Sequence, residues 1–110
     1  MTRYVTLVKY SPETLAAVRE AGYASRVGVV RAAVESIGGT LESLDFMPSS
    51  SDYDFMVRID VPSPEAGFAM GSMSWASGIA SRMTTYEMYS GEAADAALGG
   101  SSIDYTPPGQ

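Results

Sequence analysis

The chain has 110 residues, 45% of them hydrophobic and 18% charged, the balance of one ordered domain with a real core and too little length for two. Thirteen acids against seven bases give a net charge of −6, so phosphate-rich partners are repelled on average and neither nucleic acid nor an anionic membrane is an expected partner. Cys and His are both missing, which excludes disulfides, thiolate nucleophiles, zinc–thiolate sites, Ser-His-Asp triads and His-ligated haem. Any chemistry falls to carboxylates, Tyr, Arg, Ser/Thr and the single lysine, Lys9, and any metal would be a hard cation on oxygen ligands. No apolar run approaches the roughly 18 residues of a membrane span. Met1–Thr6 reads as strand rather than as the start of a signal peptide, and a cytoplasmic location is expected.

Arg3–Tyr10 (RYVTLVKY) alternates and is rich in β-branched and aromatic residues, which predicts the first strand. Ser11-Pro12-Glu13 opens a helix: Ser caps free N–H groups, Pro suits the first helical position, and Glu faces the positive end of the dipole. Gly22 interrupts it. A second helical run, about Tyr23 to Ile37, puts Val27, Val30, Val34 and Ile37 on one stripe, and Gly38-Gly39 ends it. The second strand is expected over about Thr40–Met47. After the turn composition Pro48-Ser49-Ser50-Ser51 the chain is expected to return as an antiparallel strand over Ser51–Asp60. Ser63-Pro64-Glu65 repeats the helix-start tripeptide and opens a helix to about Ala76; Ile79–Tyr89 reads as the fourth strand. Ser90-Gly91-Glu92 caps a short helix through Leu98, and residues 99–110 form a flexible tail.

The order β-α-β-β-α-β, with both crossovers launched by the same tripeptide, predicts an α+β ferredoxin-like plait over residues 1–98. Both helical layers then lie on one face of a four-stranded antiparallel sheet. The other face is left bare, and a second copy packed on it in a C2 dimer is the simplest cover. The returning strand sets the phase. Tyr53, Phe55, Val57 and Ile59 alternate on one face, expected in the core, and Asp54, Met56, Arg58 and Asp60 on the other.

The opening YVTLVKYSPE, the helix end Ile37-Gly38-Gly39 and the stretch SDYDFMVRIDVPSPE together resemble the GYD-domain family of small bacterial proteins, over roughly residues 3–89. The family's signature Gly-Tyr-Asp reads Asp52-Tyr53-Asp54 here, with the Gly replaced. The resemblance implies a branch of the dimeric α/β barrels, in which two plaits pack sheet to sheet. That superfamily includes cofactor-free monooxygenases, cyclases, isomerases, haem enzymes and ligand-sensing domains. It therefore carries an expectation of fold and dimer, not of activity.

The expected site is a cavity between the two sheets, walled by Tyr and Met. On the first strand Tyr4, Thr6 and Tyr10 form the more aromatic phase and are assigned to the cavity, with Val5 and Leu7 assigned to the core. Met56, Arg58, Arg82 and Tyr86 complete the candidate ligand-binding set, with the phase of the fourth strand left open. Asp54 is the candidate catalytic base; the alternative is that Asp54 and Arg58 form structural ion pairs. Asp52 and Asp54 sit beside a Ser-rich turn, where acids more often end a strand than hold a metal, so no metal and no cofactor are expected. Phe68, Met70, Met73 and Trp75 are read as core or subunit packing, and Gly71 as close helix packing rather than a phosphate cradle. The expected function is binding of an apolar or aromatic small molecule by a homodimer in an accessory role. The alternative is a cofactor-free isomerase, cyclase or monooxygenase acting on an aromatic or polyketide-like substrate.

Overall fold

A computed structural model describes all 110 residues. Strand β1 (Thr2–Tyr10) is followed by helices α1 (Pro12–Ala21) and α2 (Tyr23–Ser36), strands β2 (Thr40–Phe46) and β3 (Phe55–Val61), helix α3 (Pro64–Ala76), strand β4 (Ala80–Met88) and helix α4 (Gly91–Gly99). The sheet is antiparallel throughout with order β2-β3-β1-β4, the arrangement of a ferredoxin-like plait. α1, α3 and α4 each start on a serine whose hydroxyl accepts a backbone N–H three residues on: Ser11 from Thr14, Ser63 from Ala66 and Ser90 from Ala93.

The register sorts the strand residues into two faces. Val8 pairs with Phe55 and Met83, Thr6 with Val57 and Thr85, and Tyr4 with Ile59 and Glu87. These rows meet the helices: Val8, Tyr10, Phe55, Val57, Ile59 and Val61 form the core with Val18 of α1, Val34 of α2 and Leu41 of β2, and Met70 of α3 packs against it. The opposite face holds the row Ser43-Arg58-Val5-Tyr86, the row Asp45-Met56-Leu7-Thr84, and Arg3, Asp60 and Met88 at one end. No helix covers it.

The alternation of β3 runs as expected from Phe55 onward, but β1 has the opposite phase to the one expected. Tyr4, Thr6 and Tyr10 point to the helices, while Val5 and Leu7 lie on the open face. Both phases of β1 are apolar, so pattern could not choose between them. Packing does: the Tyr4 ring fills the space left by the missing side chain of Gly67 on α3, where a Cβ would stand 2.3 Å from the ring. β4 takes the phase that puts Met83, Thr85 and Glu87 towards the helices and Arg82, Thr84, Tyr86 and Met88 on the open face. Tyr53 also departs from expectation. The strand starts only at Phe55, so Tyr53 lies before it and reaches across to Thr84.

Gly38 (φ +81°) ends α2 in the left-handed conformation, and Gly39 lets α2 and β3 approach; a Cβ there would lie 2.8 Å from the Asp60 carbonyl. At the other end of the chain every residue from Ser90 to Gln110 is exposed. The radius of gyration is 17.1 Å and the long axis 58 Å, against about 13 Å expected for a compact chain of this length, because α4 and the tail lie outside the packed body.

Candidate functional site

The concave part of the molecule is under the helices. An inner cavity of about 150 Å³ lies between α2, α3 and the sheet, floored by Thr6, Val8, Phe55, Val57 and Ile59. It is roofed by Val30 and Val34 of α2 and Met70 of α3. Tyr4, Gly67, Gly71, Met83 and Thr85 line both this cavity and an outer cleft of about 830 Å³, which runs along α3 past Phe68 and Trp75. The cleft exists because α3 is built from small residues. Gly71 faces open space, and Gly67, one turn earlier, gives its space to the Tyr4 ring, so no side chain of α3 at these two positions closes the cleft. Phe68, Met73 and Trp75 are accordingly exposed rather than core.

The lining is apolar except at identifiable points. Thr6 and Thr85 bond to one another across the floor (3.0 Å between hydroxyl oxygens). Arg26, in the first turns of α2, is the one charged residue lining the inner cavity, and Glu65 stands on the outer cleft. Beside Arg26 is Tyr10, 3% exposed, whose buried hydroxyl has the Arg26 guanidinium as its side-chain neighbour and no acceptor for its own O–H. Burial raises the Tyr10 hydroxyl above the usual tyrosine value of 10, with the Arg26 guanidinium pulling the other way. The Tyr10 ring packs on Phe55, another wall of the cavity, at 5.1 Å between centroids.

Asp54 is at the end of β3 and outside both cavity linings. It is 2% exposed. Its backbone N–H donates to the Val8 carbonyl (2.8 Å), continuing the β1–β3 ladder, and its Oδ2 then accepts the Tyr10 N–H (2.8 Å) where the next strand carbonyl would have been. Its Oδ1 faces Lys9 Nζ at 3.4 Å, and the same ammonium donates to the carbonyls of Ser49 and Ser51. Next to it the Tyr53 hydroxyl meets Thr84 Oγ1 (2.8 Å) and the Arg82 guanidinium stands 5.8 Å from the Tyr53 ring centroid. These contacts tie the 48–54 turn to β1 and β4. A profile of the GYD domain matches residues 4–98. The chain belongs to the GYD-domain family. Comparison with curated proteins and with solved structures gives no match.

The match takes in α4 as well as the plait, so the GYD domain ends beyond the fourth strand. In this GYD domain Tyr53 and Asp54 latch the 48–54 turn to β4 and β1 through their side-chain contacts. The expected ligand-binding set is divided: Tyr4 and Thr6 line the helix-side cavity and Tyr10 adjoins it, whereas Met56, Arg58, Arg82 and Tyr86 share the open sheet face. Of the two residues read alternatively as members of structural ion pairs, Asp54 makes one, with Lys9, because it lies beyond the ladder and turns along β1, and Arg58 makes none within the chain. Arg3 instead makes a paired contact with Glu42 on the open face (3.0 and 3.1 Å). Sequence reasoning missed Arg26, whose spacing of four from Val30 and of eight from Val34 puts a cation on the apolar stripe of α2. No group of three or more acidic side chains comes together as metal ligands, and no helix is long and apolar enough to cross a membrane.

Proposed function

We propose that this GYD domain binds an apolar or aromatic small molecule in the cavity between its helices and its sheet, as a binding or accessory module. One observation carries the reading: a mostly apolar chamber between helices and sheet that shares five lining residues with a wider cleft along α3. The cavity sits within one chain, not between two sheets, because Tyr4 and Thr6 turn inward. Binding is favoured over turnover because Asp54, the candidate base, is engaged on both oxygens and stands away from the cavity. Thermal shift over a panel of small aromatic and aliphatic compounds tests this. A specific ligand raises the melting temperature by linkage, and a panel that leaves it unmoved removes the binding reading.

The open sheet face supports pairing with a second copy as a dimeric α/β barrel. Val5, Leu7, Met56 and Tyr86 form its apolar centre, and the face carries Arg58 and Arg82 as well as Asp45 and Asp60, so a two-fold axis can bring unlike charges together.

A further inference from the structure

The unabsorbed feature of the cavity is its cation. The two basic residues with ion-pair partners are Arg3 and Lys9; Arg26 has none, although it is half-buried and borders an apolar chamber. A guanidinium in that setting loses hydration without gaining a carboxylate, a cost that an incoming anion relieves. A second group points the same way. The Tyr10 hydroxyl, within the buried core, has the Arg26 guanidinium as its side-chain hydrogen-bond neighbour, and since that neighbour is itself a donor the Tyr10 O–H is left without an acceptor. Arg26 is thus the single charged group on a chamber whose other polar side chains are Thr6, Ser74 and Thr85, and the Tyr10 hydroxyl stands beside it just outside the lining. Glu65 stands on the outer cleft and is absent from the inner chamber, so the positive charge of the chamber is not offset within it.

We infer that the ligand is an amphipathic monoanion, a carboxylate on a compact ring or short aliphatic chain. Its carboxylate sits against Arg26 and the Tyr10 hydroxyl, and its apolar body runs under Met70 and Tyr4 towards the cleft. A chamber of about 150 Å³ holds one ring or a chain of a few carbons, and the cleft admits a longer substituent. This rests on the binding reading above and adds the chemical class of ligand and its orientation.

Trp75, the single tryptophan, lines the cleft and reports binding by its fluorescence. The test titrates 4-phenylbutanoate and decanoate in parallel with 4-phenylbutanamide and decanamide, which match them in shape but carry no charge. The acids are expected to bind about tenfold or more tightly than their amides. Arg26→Met, which keeps the apolar stem, should bring that ratio close to one while leaving amide binding in place; Arg26→Lys should keep most of it. Tyr10→Phe should weaken the acids severalfold and the amides less, because a carboxylate accepts a stronger hydrogen bond than an amide carbonyl. Equal affinity of acid and amide in the unmodified protein overturns the inference without any variant, as does a ratio that survives Arg26→Met. Failure of acids and amides alike removes the cavity reading itself, a different result from amides that bind as well as acids.

Discussion

Asp54 closes the end of β3 by lending a carboxylate oxygen where the ladder runs out of carbonyls, and Lys9 balances its charge from the neighbouring strand. Removing one partner of such a buried pair leaves the other uncompensated, which costs more than the pair's net worth. Asp54→Ala is therefore expected to destabilise the fold by about 2–4 kcal/mol in urea denaturation, since it also orphans the Tyr10 N–H. Asp54→Asn, which can still accept that N–H, should cost less than Asp54→Ala. Equal stability of both variants and the parent would show that the latch contributes nothing. Tyr10 gives a pH signature. Its hydroxyl is raised above 10 by burial, so the folded chain holds that proton more tightly than the unfolded one. Stability from this group is complete below the unfolded value and is lost as pH rises through the folded one. Tyr10→Phe should flatten the fall in stability above about pH 10; an unchanged alkaline slope would assign it to other tyrosines.

At the level of elements, two glycines divide the labour between holding the plait together and keeping it hollow. At Gly39 the obstacle to a side chain is backbone, the Asp60 and Val34 carbonyls, so Gly39→Ala should lower stability by about 1–3 kcal/mol. At Gly67 the obstacle is the Tyr4 ring, which can swing. Gly67→Ala should therefore keep a cooperative fold while pushing that ring into the cavity, lowering ligand affinity in the Trp75 titration more than it lowers the urea midpoint. The order of elements and the helix ends were legible in the sequence to within a residue or two, because Ser-Pro-Glu and Gly38-Gly39 are local signals, whereas the start of β3 was expected four residues before Phe55, at Ser51. The phase of β1 was not. Tyr4, Thr6, Val8 and Tyr10 compete with Val5 and Leu7 on nearly equal terms, and the choice is made by Gly67, some sixty residues away. Tyr53 was misread for a similar reason: alternation continues in the letters past the residue where the ladder stops.

For the whole molecule, the body and the arm behave separately. Residues from Ser90 onward are exposed throughout, so truncation after Leu98 should leave the urea midpoint of the body within about 0.5 kcal/mol of the full chain. A loss beyond that would mean that the tail packs on the body or on a second copy. Sheet-to-sheet pairing should bury more than about 1,000 Å² and give twice the chain mass in light scattering coupled to size exclusion; a concentration-independent monomer contradicts it. The candidate site was only half legible for a topological reason: whether Tyr4 and Thr6 belong with Arg58 and Tyr86 depends on which face of the sheet the helices cover. The central claim is that the ligand enters between helices and sheet. Amide chemical-shift mapping with 4-phenylbutanoate tests it most directly. The account predicts shifts at Thr6, Arg26, Gly67, Gly71 and Thr85, with Leu7, Arg58 and Tyr86 unmoved. Shifts concentrated on Leu7, Arg58 and Tyr86 would place the ligand on the open face of the sheet and contradict it.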